Sequence, residues 1–328
     1  MKLRNFSDTG IQVTPIGLGT WVMGGWMWGG ADERDAIDAI IVSVERGVNL
    51  IDTAPIYGFG KAECIVGKAL KQINKREQIV IASKFGLEWD ANERIRRNCK
   101  RDRVLKEFND SLGRLQTDYI DIYQMHWPDR SVPFEETMSV LVELLGSGKI
   151  KAIGVSNVSV EQLKECCKYA SVHSLQPPFN LFEQEAGEEL LPYCAGNNIA
   201  TLTYGTLCRG LLTGKFTEKS VFPKGDLRKF DPKFKGDKFK LYLTAVNTLK
   251  RYAGQKNSTV AQLSIEWAIN QPGVTCALIG ARNRKQAEQN SLILEEQIFS
   301  CEDFQNVDKI LERTVQRPLG AEFMAPPK

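Results

Sequence analysis

Eight short apolar runs alternate with amphipathic stretches along most of the chain. They lie at 13–20 (VTPIGLGT), 49–54 (NLIDTA), 78–85 (QIVIASKF), 119–126 (YIDIYQMH), 151–157 (KAIGVSN), 174–180 (SLQPPFN), 199–205 (IATLTYG) and 276–280 (CALIG). Several are rich in β-branched residues, apolar at consecutive positions and bounded by Gly, Asn or Pro. Strands buried on both faces of a parallel sheet read this way. Between them, apolar residues recur every three or four positions at 32–46, 61–71, 102–115, 133–145, 160–169, 188–195 and 259–269. That spacing predicts helices. The first opens with acids and stops before Gly47, as helix ends favour. The segment GARNRKQ after the last run leads into a further helix, 303–314 predicts a final one, and a Pro-rich tail, RPLGAEFMAPPK, follows.

Eight strand-then-helix units predict an α/β fold of the (β/α)8 TIM-barrel type, a single domain over 1–328. An open doubly wound sheet usually has fewer strands and carries a GxGxxG turn after the first. The first unit here, GLGTWVMGGWMWGG, has glycines without that fingerprint. Two connections, 85–101 and 206–240, are too long for plain turns and read as lids or ligand-binding loops on the catalytic face.

Composition narrows the class further. The apolar and charged fractions, 42% and 25% of 328 residues, are those of a folded globular protein. With 43 basic and 40 acidic residues, the net charge of +3 gives no case for nucleic acid or an anionic membrane. No apolar run reaches the roughly 18 residues of a membrane span. The start MKLRNFSDTG lacks the apolar core of a signal peptide. Eight scattered cysteines without a CxxC motif fit reduced thiols, mostly buried as small hydrophobes, in a cytoplasmic protein. A monomer is the default reading.

The candidate chemistry sits at strand ends. Asp52, Tyr57, Lys84 and His126 follow the second, third and fourth runs, and a parallel barrel gathers such ends on one face. Taken singly, each has a plain structural reading: a turn-capping acid, a packed ring, a core imidazole. Lys84 after an apolar run is harder to explain, because burying an unpaired ammonium is costly. Together they suit proton donation to a carbonyl oxygen. The Tyr57 phenol ionises near pH 10 when free, and the Lys84 ammonium is expected to lower that value, with Asp52 orienting the lysine. His126 can hydrogen-bond the carbonyl. No side chain donates hydride, which implies a nicotinamide-type cofactor. A metal is not expected, since the two histidines, His126 and His173, lie in no HxH or HExxH pattern. A Schiff-base lyase using Lys84 is an alternative. The second half supplies anion-binding material: GVSN, Gln176, Tyr204-Gly205, GTLCRGLLTGK with Arg209 and Lys215, and a helix start with Arg282, Arg284 and Lys285.

The stretches NLIDTAPIYGFGKAECIVGKAL, IVIASKFG, YIDIYQMHWPD, GKIKAIGVSN, QPPFNLF, TYGTLCRGLLTGKF and IGARNRKQAEQN, in this order and over nearly the whole chain, resemble the aldo-keto reductases. The resemblance is to the bacterial branch related to stress-induced general reductases and potassium-channel β subunits. It implies reduction of aldehydes or ketones with NADPH. Tyr57 matches the family's proton donor, Lys84 and Asp52 its activating pair, and His126 the residue that orients the carbonyl. Thr20 and Trp21 match residues beside the nicotinamide. Ser156, Asn157 and Gln176 match those holding its carboxamide, and Tyr204 the ring stacked on it. Gly205, Thr206, Leu207, Arg209, Gly210, Leu211, Lys215 and Arg228 match the pyrophosphate clasp. Gly280, Ala281, Arg282, Gln286 and Asn290 match the adenosine end, with Arg282 reading the 2′-phosphate. The family often has Glu one residue before that Asn, where this chain has Gln289. Trp21, Met23, Trp26, Trp28, Tyr57, Trp89 and Trp127 are expected to line an apolar substrate pocket. The channel-subunit kinship leaves open a cofactor-occupied sensor with little turnover.

Overall fold

A computed structural model describes residues 2–315 and 318–326. Twelve strands run in the order β1 (Arg4–Asn5), β2 (Gln12–Val13), β3 (Ile16–Gly19), β4 (Leu50–Asp52), β5 (Val80–Phe85), β6 (Leu87–Trp89), β7 (Ile95–Arg97), β8 (Ile120–Met125), β9 (Ile150–Ser156), β10 (Ser174–Gln176), β11 (Ala200–Thr203) and β12 (Cys276–Gly280). Eight of them close into a parallel barrel, β3-β4-β5-β8-β9-β10-β11-β12, with β12 returning to β3. These are the eight apolar runs of the sequence, several trimmed by their turn residues. In the sixth, the regular strand stops at Gln176, since Pro177 and Pro178 have no N–H to donate, and one further parallel bridge pairs Pro178 with Tyr204.

Alternation along each strand sorts the side chains. Leu50, Val80, Ala82, Ile122, Ala152, Ala200, Leu202, Cys276 and Leu278 fill the barrel interior. Ile51, Ile81, Phe85, Tyr123, Met125, Ile153 and Val155 face the surrounding helices in a larger core. Asp52, Lys84, Gln124 and Gln176 share the inward parity and lie buried toward the carboxyl end. At the opposite end, the β1–β2 hairpin plugs the barrel with Phe6 and Val13. Nothing in the apolar pattern had predicted this hairpin.

Both long connections contain regular structure. The segment 85–101 folds into the antiparallel β6–β7 hairpin. The segment 206–240 is a chain of short 3-10 turns over a Phe216, Phe222, Phe234 and Phe239 cluster. It then enters a 19-residue helix, Gly236–Gly254, absent from the predicted helices. Its Phe239, Tyr242, Leu243, Val246 and Leu249 are buried at helical spacing. Five of the eight cysteines are buried, whereas Cys167 and Cys301 are exposed and Cys64 is half-buried. The tail expectation falls partly on 317, 327 and 328, outside the described residues. Between them, Leu319 N–H donates to Tyr242 Oη and Lys233 donates to Gly320 O. No helix among the described residues is long and apolar enough to cross a membrane.

Candidate active site

Asp52 ends β4 and Lys84 sits one residue before the end of β5, both pointing into the barrel. The Lys84 ammonium donates to Asp52 Oδ1 at 2.8 Å, Oδ2 at 2.7 Å and Thr53 O at 3.0 Å. It reaches the Tyr57 hydroxyl at 3.2 Å. Tyr57 is carried by a tight turn in which its N–H donates to Ala54 O and the Gly60 N–H to Pro55 O. That turn is pressed against Gly24, where a Cβ would lie 2.3 Å from Tyr57 O. The Tyr57 ring stacks on Trp21 at 5.6 Å and meets the His126 ring edge-on at 5.9 Å. The four residues singled out from the sequence thus meet in one place.

Their electrostatics differ from expectation at one point. Burial, then the Asp52 charge and Tyr204, push the Tyr57 phenol well above its usual value. Lys84 was expected to pull it down. Here Lys84 is itself pushed down by burial, against the pull of Asp52. Tyr57 therefore rests as a neutral phenol. Burial and then Lys84 lower His126 far below its ordinary value, which leaves a neutral imidazole able to donate one hydrogen bond.

A cleft of about 580 Å³ runs from Tyr57 across the barrel top, within the range of cofactor sites. Asp52, Thr20, Trp21 and Tyr204 line its inner end. Gly205, Thr206, Leu207 and Gly210 supply backbone along it, and Lys215, Arg228, Gly280, Arg282, Gln286 and Asn290 line its far part. Partial burial and then the mutual repulsion of neighbouring cations push Lys215 and Arg282 down. Arg228 is paired with Asp226, and all three cations line the cleft. Such a cluster fits a polyanion. Two contacts tie the loop carrying Trp28 to segments beside the cleft: Leu227 N–H donates to Met27 O at 2.8 Å, and Arg282 donates to Trp28 O at 2.6 Å.

Comparison with known proteins agrees with the fold. Residues 15–312 match the aldo/keto reductase family. The chain belongs to that family. It is 50% identical to the aldo-keto reductase YhdN of Bacillus subtilis (strain 168), over 100% of this chain and 98% of that one. It is 34% identical to the NADH-specific methylglyoxal reductase of Escherichia coli (strain K12), over 88% and 92% of the two chains. A solved glycerol dehydrogenase from Gluconobacter oxydans superposes with a TM-score of 0.89 at 39% identity, covering 98% and 99%. An aldo-keto reductase acts on small carbonyl compounds with a nicotinamide cofactor.

Several expected cofactor residues have partners within the chain. Arg209 lines the cleft while its guanidinium pairs with Glu183 and Asp231, with Lys233 completing the network. Leu211 and Ala281 pack into the core. Gln176 donates its amide to Asp52 Oδ1 at 2.8 Å. Ser156 donates to Gln176 O, Asn157 donates to His126 O, and Tyr204 donates to Asn157 Oδ1. Met23, expected in the substrate pocket, is fully buried in the core. Trp28 lines the long cleft. Trp21, Trp26, Phe59, Trp89, Ile95 and Trp127 do pack together beside Tyr57. Phe59, Ile95 and Leu87 gave no periodic signal, the first lying in a turn and the other two in three-residue strands. The second histidine is structural, its Nδ1 accepting from Ile153 N–H.

Proposed function

We propose that this protein reduces aldehydes or ketones to alcohols with NADPH, and that Tyr57 gives the proton. The observation that carries the reading is the Lys84–Tyr57 contact at 3.2 Å, at the inner end of a cleft whose far part holds Lys215, Arg228 and Arg282. The cleft's length, its cationic end and its aromatic inner end fit a dinucleotide, which supplies hydride when bound.

The chain's own residues do the rest. His126 donates a hydrogen bond to the carbonyl oxygen and fixes its direction. Tyr57 keeps its proton until that oxygen gathers charge, then releases it. Lys84, buried and held by Asp52, stabilises the phenolate without rearranging. Trp26, Phe59 and Trp89 hold the rest of the substrate and keep water from the reacting carbon.

Arg282 supports NADPH over NADH, because a guanidinium at this end suits a 2′-phosphate. The relative named NADH-specific shows that the choice must be measured on this chain. Arg282→Ala is expected to weaken NADPH binding by about 1–3 kcal/mol, with little effect on NADH, when each is titrated against tryptophan fluorescence. Equal weakening of both would remove the 2′-phosphate role.

A sensor with little turnover is the second reading, favoured by the Leu227–Met27 and Arg282–Trp28 contacts beside the cleft. Sustained NADPH consumption with a simple aldehyde, over many turnovers per protein molecule, would exclude it.

A further inference from the structure

Inside the barrel, Asp52 does not answer to Lys84 alone. Gln176 Nε2 donates to its Oδ1 at 2.8 Å, and Gln124 Nε2 approaches the same oxygen at 3.4 Å. Gln176 Nε2 also reaches Gln124 Oε1 at 3.4 Å. All four side chains are buried, and they come from β4, β5, β8 and β10. Gln124 is in register with Lys84 on one side and with Gly154 on the other. Gly154 makes room for it: a Cβ there would lie 2.6 Å from Gln124 Cγ. The barrel has given up a side chain on β9 to let a neutral amide lean toward the carboxylate.

A buried primary amide next to a salt bridge would be an odd packing choice, since an apolar side chain of the same size carries no polar groups to satisfy. Its chemistry explains it. The ammonium has three hydrogens and four acceptors in reach: both Asp52 oxygens, Thr53 O and Tyr57 Oη. An amide on Oδ1 partly satisfies that oxygen without adding charge, so Lys84 can turn a hydrogen toward Tyr57.

We propose that Gln124, with Gln176, is a positioning residue that shares Asp52 with Lys84 and so sets how strongly Lys84 stabilises the Tyr57 phenolate. This rests on the reading of Tyr57 as the proton carrier. Gln124 touches neither substrate nor the reacting atoms; it acts through Asp52.

The test is the pH profile of kcat for alcohol oxidation with NADP+, where Tyr57 must be ionised to accept the proton. Gln124→Met removes the amide at similar volume. With Oδ1 released, Asp52 takes more of the Lys84 hydrogens, and the phenolate loses support. The rising limb of the profile should move to higher pH by about half a unit or more, with NADPH affinity within about twofold of wild type. Gln124→Glu, which sets a second carboxyl beside Asp52, should move the limb further in the same direction. A merely structural role would lower the melting temperature of both variants and leave the limb in place. That result, from folded variants, overturns the proposal. Tyr57→Phe is the control: if its profile keeps the wild-type limb, the underlying assignment of Tyr57 fails instead.

Discussion

At Lys84 the barrel buries a charge completely and surrounds it with acceptors. A buried pair is expensive to break, because the partner is left ionised and unsatisfied. Lys84→Met should therefore abolish reduction and also destabilise the fold by about 3–5 kcal/mol in denaturant unfolding, through the stranded Asp52. The double variant with Asp52→Asn should regain part of that stability and none of the activity. A single variant as stable as wild type would mean that the pair is not coupled as its geometry states. This part of the site was legible in the sequence: an ammonium, a carboxylate, a phenol and an imidazole at strand ends have no cheap structural alternative as a set. Which neighbours the polar residues choose was not legible. Arg209 reads as a phosphate ligand in GTLCRGLLTGK, yet its guanidinium turns inward to Glu183 and Asp231, carriers far along the chain. Gln124 sits inside an apolar run with no motif around it, although its strand parity matches Lys84.

Among the elements, the turn carrying Tyr57 and the short helix Trp21–Gly24 are pressed backbone to backbone. Gly24 and Gly58 form the contact; a Cβ on Gly58 would lie 2.1 Å from Gly24 O, and Gly58 also has φ near 69°. Gly24→Ala should push the Tyr57 turn outward and lower kcat at least about tenfold, as displaced catalytic groups do, with smaller change in cofactor affinity. Unchanged kcat would show that the turn can yield at no cost to catalysis. All eight barrel strands and most helices were readable, because burial on both faces leaves a continuous apolar run and burial on one face imposes a helical period. The β1–β2 and β6–β7 hairpins were not, since strands of two or three residues are too short to show one. The helix Gly236–Gly254 was obscured by the lysine-rich approach to it, although its apolar spacing was present all along.

Across the whole molecule, the long loop after β11 is anchored by one buried network. Glu183 pairs with Arg209 and Lys233; Asp231 pairs with Arg209; Phe323 packs on Arg209 and Lys233. Burial would raise the Glu183 carboxyl, but Arg209 and Lys233 outweigh it and hold it at about 2, below the ordinary 4.5. A depressed carboxyl stabilises the fold fully above its unfolded value and loses that contribution as pH falls from about 4.5 toward 2. Glu183→Gln should reduce stability at neutral pH and flatten this part of the acid-unfolding curve followed by circular dichroism. An identical acid curve would contradict the assignment. The site at the centre of this scaffold is tested most directly by single-turnover measurement on Tyr57→Phe, with NADPH binding and aldehyde reduction followed separately. NADPH should bind with near wild-type affinity while the reduction step slows by about 10²–10⁴-fold, the usual scale of a lost general acid. A reduction step at wild-type rate would contradict the claim that the phenol beside Lys84 delivers the proton.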